Sequence, residues 1–245
     1  MAVLTDRLNA LAQQINEGET MADIGTDHGF LPIFLHADGI SPKVVMTDVS
    51  EKSLSKAKEN GRGVTGLDDS SFRCGDGLAP IGHGEVDAVV MAGMGGVLMV
   101  EILSADLPKS RSMAKFILQP RNRAHVLRRW LAHNGFSIVK EVLVRERHNL
   151  CEIIVASPDG AGPEQNWVDK AWPDRDIRWE VPPMYESTDD PLAEEYLHRK
   201  LEREKRVLRE VRKAQSLNLE RLKELDDRIA YLKDLWGKRR STNEV

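Results

Sequence analysis

The stretch ADIGTDHGF, Ala22 to Phe30, decides how the chain folds. A short apolar run ends at Asp23, glycines follow at Gly25 and Gly29, and Pro32 suits the first turn of a helix. That is the form of a strand turning into a helix whose N-terminus faces a ligand. Glycine lets the backbone approach that ligand closely. Where a second glycine of a G-x-G-x-x turn is expected, Asp27 and His28 stand instead. Three readings stay open on these nine residues: a cofactor loop, a metal or acid-base site, or a plain turn. Two adjacent side chains do not supply the three or four converging ligands a metal needs, so no metal is expected.

On either side of this turn, apolar runs at TMADIG, KVVMTD, SFRC, VDAVVMAG and KFILQP read as buried strands. Helical patterns lie between most of them, at Phe30–Ala37, Ser50–Glu59, Gly96–Leu103 and Asn122–His133. Asn122 is placed to cap the last of these and Gly135 to end it. Before them, Leu4, Leu8, Leu11 and Ile15 mark an amphipathic helix. After them, FSIVKEVLVRE and LCEIIVASP flank the polar turn RHN as an antiparallel hairpin. The expected fold is α/β, a doubly wound Rossmann-like sheet that ends in that hairpin, an ending associated with class I methyltransferases rather than NAD-binding dehydrogenases.

Four motifs fall at carboxyl ends of the predicted parallel strands, where ligands bind in open α/β sheets. The first ends at Asp23. Asp48, 25 residues later, heads DVS and can take both ribose hydroxyls of an adenosine. In GDGL, Asp76 and Gly77 can read an adenine edge, and AGMGG, Ala92 to Gly96, stands where a reacting group is met. Each alone is compatible with a plain turn. The four together make a turn-only account untenable.

ADIGTDHGFLP, GDGL, AGMGG and ILQP resemble the bacterial tRNA adenine-22 N1-methyltransferase family, over roughly Leu4 to Pro158. The resemblance implies an S-adenosylmethionine cofactor, a tRNA substrate and methyl transfer to adenosine N1. It also implies a cofactor pocket lined by Asp23, Gly25, Asp27, His28, Asp48, Asp76, Gly77, Gly93 and Met94, with Thr26, Val49 and Ala92 beside them. One departure is Asp48, where relatives often carry Glu. Adenine N1 has a lone pair at neutral pH, so the step needs alignment more than a strong base, and it moves positive charge onto the base. An acidic site is therefore expected. Asp27, His28, Gln119 and Asn122 are the candidates for facing the target nucleotide. AGMGG lacks the proline-rich, polar-headed loop typical of methylation at adenine N6, which agrees with N1.

Charge and composition bound the rest. The 245 residues carry a net charge of −4, yet Arg199–Arg240 holds 15 Lys/Arg against 8 Asp/Glu, leaving −11 for the remainder. A basic appendage on an acidic body fits a nucleic-acid partner, with Arg199, Arg203, Arg206 and Arg209 on the appendage and Arg121, Arg123, Arg128 and Arg129 nearer the pocket as candidate RNA contacts. Residues 159–191, with more than half of the prolines at or beside them, read as a linker laid against a surface. The expected division is a methyltransferase domain over 1–158, the linker, and a basic helical domain over 192–245. In that last part Leu201, Leu208, Leu222, Ile229 and Trp236 share a heptad position, interrupted near AQSLN. A folded-back coiled-coil hairpin is expected, with one long helix as the alternative. Two separated cysteines, Cys74 and Cys151, and no apolar run near the roughly 20 residues of a membrane span point to a cytoplasmic protein. Oligomeric state is not legible. Two competitors remain: the same chemistry on another RNA or a small molecule, and a nucleotide-binding adaptor whose coiled coil recruits a protein.

Overall fold

The computed structural model describes residues 4–158, 168–213 and 218–243. The chain divides into two compact units, Met1–Lys170 and Ala171–Val245. In the first, β1 (Met21–Ile24), β2 (Val44–Asp48), β3 (Phe72–Cys74), β4 (Ala88–Gly95), β5 (Lys115–Asn122), β6 (Phe136–Glu146) and β7 (Asn149–Pro158) form one seven-stranded sheet in the order β3-β2-β1-β4-β5-β7-β6. Strands β1 to β5 run parallel, and β7 pairs antiparallel with both β5 and β6. The expected doubly wound sheet with a terminal hairpin is what forms.

The central strands β1, β2, β4 and β5 are buried along most of their length because both faces are covered. In β4, Val89 and Met91 enter one core with Ile102 and Leu103 of α4 (Gly96–Ala105) and Leu127 and Leu131 of α6 (Ala124–His133). Ala88 and Val90 enter the other, with Leu11 of α1 (Asp6–Ala12) and Leu31 and Leu35 of α2 (Phe30–Ala37). Helix α3 (Glu51–Asn60), capped by Ser50, adds Ala57 to that second core. A short helix α5 (Leu107–Ser112), absent from the sequence reading, is capped by Asp106 Oδ1 on Lys109 N at 3.0 Å, with Pro108 in its first turn.

Helix α6 corrects two expectations. Asn122 does not cap it: β5 runs on to pair Asn122 with Gly95, and Arg123, at φ 52°, precedes the helix without a side-chain cap. Gly135, at φ 75°, does follow its last turn in the left-handed conformation. Arg128 is fully buried, so it presents no surface to RNA. Its Nε and Nη2 donate to Glu141 at 2.8 and 2.6 Å, and Nη2 also lies 3.2 Å from Glu152. The cause is its place on the apolar stripe between Ala124 and Leu131.

In the second unit, α7 (Ile177–Glu180) and a 3₁₀ turn at Pro183–Glu186 lead into α8 (Ala193–Arg212) and α9 (Leu219–Asn243). The pairs Arg212–Asp226, Glu204–Arg228 and His198–Trp236 show that the two helices run antiparallel, so the hairpin forms rather than one long helix. Residues 214–217, at the expected break, lie outside the described residues, as does 159–167 of the expected linker. From Ala171 onward that segment is part of the second unit rather than a connection. Trp179 and Tyr185 are buried, Trp179 meets Trp172 edge-on, and Tyr185 meets Tyr196. Aromatic side chains of this size bury more apolar surface than a surface-laid linker needs. Among the described residues no helix is long and apolar enough to cross a membrane.

Candidate active site

The chain order reverses between β1 and β4, and a cleft of about 920 Å³ opens at their carboxyl ends. Asp23, Gly25, Thr26, Asp27 and His28 form one wall, Ala92 and Gly93 the floor, and Gln119, Arg121 and Asn122 the opposite side. Gly25 and Thr26 both donate their backbone N–H to Thr47 O, at 2.8 and 2.9 Å, which pins the turn to β2. Gly25 has φ 72°, and a Cβ there would collide with Met94 Cε. Gly29, at φ 69°, precedes α2 without a side-chain cap, so the first N–H groups of that helix remain open.

Asp23 is buried and accepts a hydrogen bond from Thr26 Oγ1 at 2.7 Å. Burial pushes its carboxyl up to about 6, against the opposing pull of Thr26 and of Arg7. Asp27 holds a left-handed backbone, φ 49°, which an aspartate tolerates better than most residues. Its N–H donates to Asp48 Oδ2 at 3.2 Å, linking the first motif to the second. Asp27 also lies 3.6 Å from both His28 Nε2 and Lys56 Nζ, and His28 stacks on Phe30 at 5.2 Å. Asp48 Oδ1 caps Ser50 N at 2.9 Å.

The other sites fall on the same strand-end edge but outside this cleft. Val49 and Asp76 are exposed. Gly77, at φ 51°, lies where a side chain would strike Ile102, so its glycine serves packing. The same holds for Gly96 in AGMGG, where a Cβ would lie 2.5 Å from Arg123 O. Gly93 differs: β4 loses its register between Ala92 and Met94, φ is 74°, and the space beside its Cα is open.

Gln119 is buried and its carbonyl is engaged, accepting from Gly93 N at 3.1 Å and Arg7 Nη1 at 3.3 Å. It braces the floor of the cleft instead of standing free to hold a nucleotide. Residues the sequence reading missed also line the cleft: Thr5, the cap of α1, Arg7 within that helix, and Glu146, Asn149, Cys151 and Glu152 from the terminal hairpin. The only signal for α1 was its apolar stripe, which Arg7 flanks. Burial, then Glu146, raise the Cys151 thiol above its ordinary value, so it is a neutral wall residue. Among the described residues no cluster of three or more His, Cys, Asp or Glu is placed to hold a metal ion.

Residues 4–154 match the family model of a methyltransferase domain. The chain belongs to that family. This methyltransferase domain is 35% identical over 154 residues to the tRNA (adenine(22)-N(1))-methyltransferase of Bacillus subtilis, covering 62% of the present chain and 64% of the relative, just under two thirds of its length. Solved structures match more of the chain. The B. subtilis M1A22 tRNA methyltransferase TrmK aligns over 96% of this chain and 100% of its own, at 27% identity and a TM-score of 0.81. A putative tRNA (m1A22) methyltransferase of Streptococcus pneumoniae, in complex with S-adenosyl-L-methionine, aligns over 96% and 100%, at 26% identity and a TM-score of 0.77.

The candidate RNA contacts are unevenly available. Arg121 and Arg123 are exposed and Arg129 is half-buried. On α8, Arg199 pairs with Glu195 and Arg203 with Glu180, while Arg206 and Arg209 are exposed. Lys205, Arg212 and Lys213 pair with Glu202, Asp226 and Glu210. Counting charges along α8 therefore overstates its bare positive surface.

Proposed function

We propose that the protein transfers a methyl group from S-adenosyl-L-methionine to N1 of adenosine 22 in tRNA. The observation that carries the reading is the cleft itself: an uncapped helix N-terminus, an open glycine turn and a buried carboxylate converge at the sheet's switch point. The similarity to the B. subtilis enzyme and to the cofactor-bound S. pneumoniae protein supplies the substrate and the position.

The residues present fit the cofactor. Gly93 leaves open space beside its backbone, Gly25 lets the turn pass Met94 without a side chain of its own, Asp23 offers a carboxylate to the cofactor's ammonium group, and Asp48 stands at the end of β2 for the ribose. Asp76 and Gly77 would meet the adenine edge, with Thr26, Val49, Ala92 and Met94 as flanking wall. When bound, the cofactor supplies an electrophilic methyl on a sulfonium. Adenine N1 would accept that methyl through its lone pair, with the neutral thioether as leaving group, so the residues around the base must tolerate the positive charge that would arrive on it. Asp27 and His28 face the base side, and Asp27 stabilises the cationic product. Asn122 and Arg121 hold the nucleotide, which must be unpaired or flipped out to expose N1. Arg123 and Arg129 on the first unit, and separately Arg206 and Arg209 on the second, contact RNA phosphates in a salt-dependent way.

The test is incubation of the full chain with labelled S-adenosyl-L-methionine and unmodified bacterial tRNA, followed by nucleoside analysis. The expected product is 1-methyladenosine, lost when position 22 is changed to guanosine. Label in a different nucleoside would move the substrate assignment, and no cofactor binding at all would sink the class.

A further inference from the structure

The amphipathic α1 has more to do than cover the sheet. Thr5 Oγ1 caps its first turn on Leu8 N at 3.3 Å, which fixes where Arg7 leaves the helix. Arg7 Nε lies 3.0 Å from both carboxylate oxygens of Glu146, at the end of β6. Its Nη1 reaches Gln119 Oε1 in β5, and the same oxygen takes the Gly93 N–H that the break in the β4–β5 ladder has freed. Gln119 Nε2 donates to Pro120 O at 3.2 Å. Two donors converging on one side of a buried amide leave it a single orientation.

Resting on the methyl-transfer reading, we propose that Arg7 is a positioning residue: through Gln119 it holds the Gly93 peptide at the floor of the cleft where the reacting groups meet. A purely stabilising ion pair is a poor account of it. The Arg7 and Glu146 side chains are 23% and 34% exposed, and pairs in such surroundings contribute little to stability. The fork of a guanidinium can engage Glu146 and Gln119 together, whereas an ammonium acts as one point. Glu146 also answers an electrostatic difficulty. A bare cation beside the base would oppose the positive charge that arrives there, and the carboxylate neutralises it.

The experiment uses the full chain with Arg7→Lys, Arg7→Met and Glu146→Gln, and two readouts. In steady-state methylation of unmodified tRNA, both Arg7 variants should lose kcat on the order of 10²-fold, as expected for a displaced reacting geometry. Cofactor affinity and the KM for tRNA should move far less, roughly threefold. Glu146→Gln, which loosens Arg7 from its other end, should show the same split at about tenfold. In hydrogen exchange, the Gly93 amide should exchange faster in all three variants while Val89 to Met91 stay protected. Full kcat in Arg7→Lys, or unchanged Gly93 exchange in Arg7→Met, overturns the proposal. If the wild-type protein makes no 1-methyladenosine, the functional reading fails, and the exchange readout still decides whether Arg7 holds Gly93.

Discussion

Two carboxylates, the buried Asp23 and the half-buried Glu180, one in each unit, are held in opposite ways. Asp23, in the cleft, is pushed up to about 6 by burial, with only Thr26 and Arg7 pulling against it. Glu180, at the end of α7, also suffers burial, but Lys200, Arg228 and Arg203 outweigh it and hold the group below its ordinary value. Arg228 reaches both Glu180 and Glu204, at 2.7 and 3.0 Å, and ties α9 to α7 and α8. The helical unit thus satisfies its charges internally and gains stability from them. The cleft keeps a carboxylate at a cost, which a cationic ligand would relieve.

The largest expected effect tests the stabilising half of that contrast. Arg228→Ala leaves Glu204 and Glu180 without their shared partner, and the second unit should lose about 3 kcal/mol, since breaking a buried pair strands the remaining charge. Denaturant unfolding followed by hydrogen exchange should locate the loss beyond Ala171, with cofactor affinity unchanged. Weaker cofactor binding in this variant would break the contrast.

Next comes Asp23→Asn, which should weaken cofactor binding on the order of 10²-fold by removing a charged hydrogen-bond acceptor. The thermal midpoint should stay level or rise, because the penalty of ionising a buried carboxyl disappears. The signs in pH follow. Between its unfolded value of 3.8 and about 6, Asp23 binds its proton more tightly when folded, so its share of stability grows as pH falls through that window. Cofactor affinity should decline over the same fall, measured by calorimetry. Glu180 runs the other way: its stabilisation is present above about 4.5 and is lost as pH falls below that.

Asp27→Asn should reduce turnover roughly tenfold with little change in folding, since asparagine also accepts the left-handed backbone at φ 49°. Alanine at that position would mix strain with lost charge. Smallest of all, Arg206→Ala with Arg209→Ala should lower the slope of log affinity for tRNA against log salt by about 1 to 2, measured by filter binding across salt concentrations. An unchanged slope would assign those arginines to solubility alone.

How much of this was legible in the chain varied with the range of the interactions. The Gly25 turn, the strand ending at Asp48 and the hairpin after Phe136 are written in local patterns of apolar runs and glycines. Arg128 could have been read correctly, because it lies four residues after Ala124 and three before Leu131 on a buried stripe. Counting it as a surface cation ignored that phase. Proline content misled in the other direction: Pro182 and Pro183 mark a turn that delivers Tyr185 into a core. On α8, the glutamates that neutralise its arginines include Glu180, which is distant along the chain from Arg203.

Local residue patterns set the alternation of strands and helices, the class of fold and the edge on which a ligand would lie, because side-chain period and turn chemistry act over a few residues. Only the tertiary structure brought Arg7 to Glu146 across 139 positions and to Gln119 across 112, and thereby gave the freed N–H of Gly93 a brace. Such contacts depend on which strands are neighbours and where a ladder breaks. That order is settled by packing the whole sheet against its helices, and no short stretch of residues carries it.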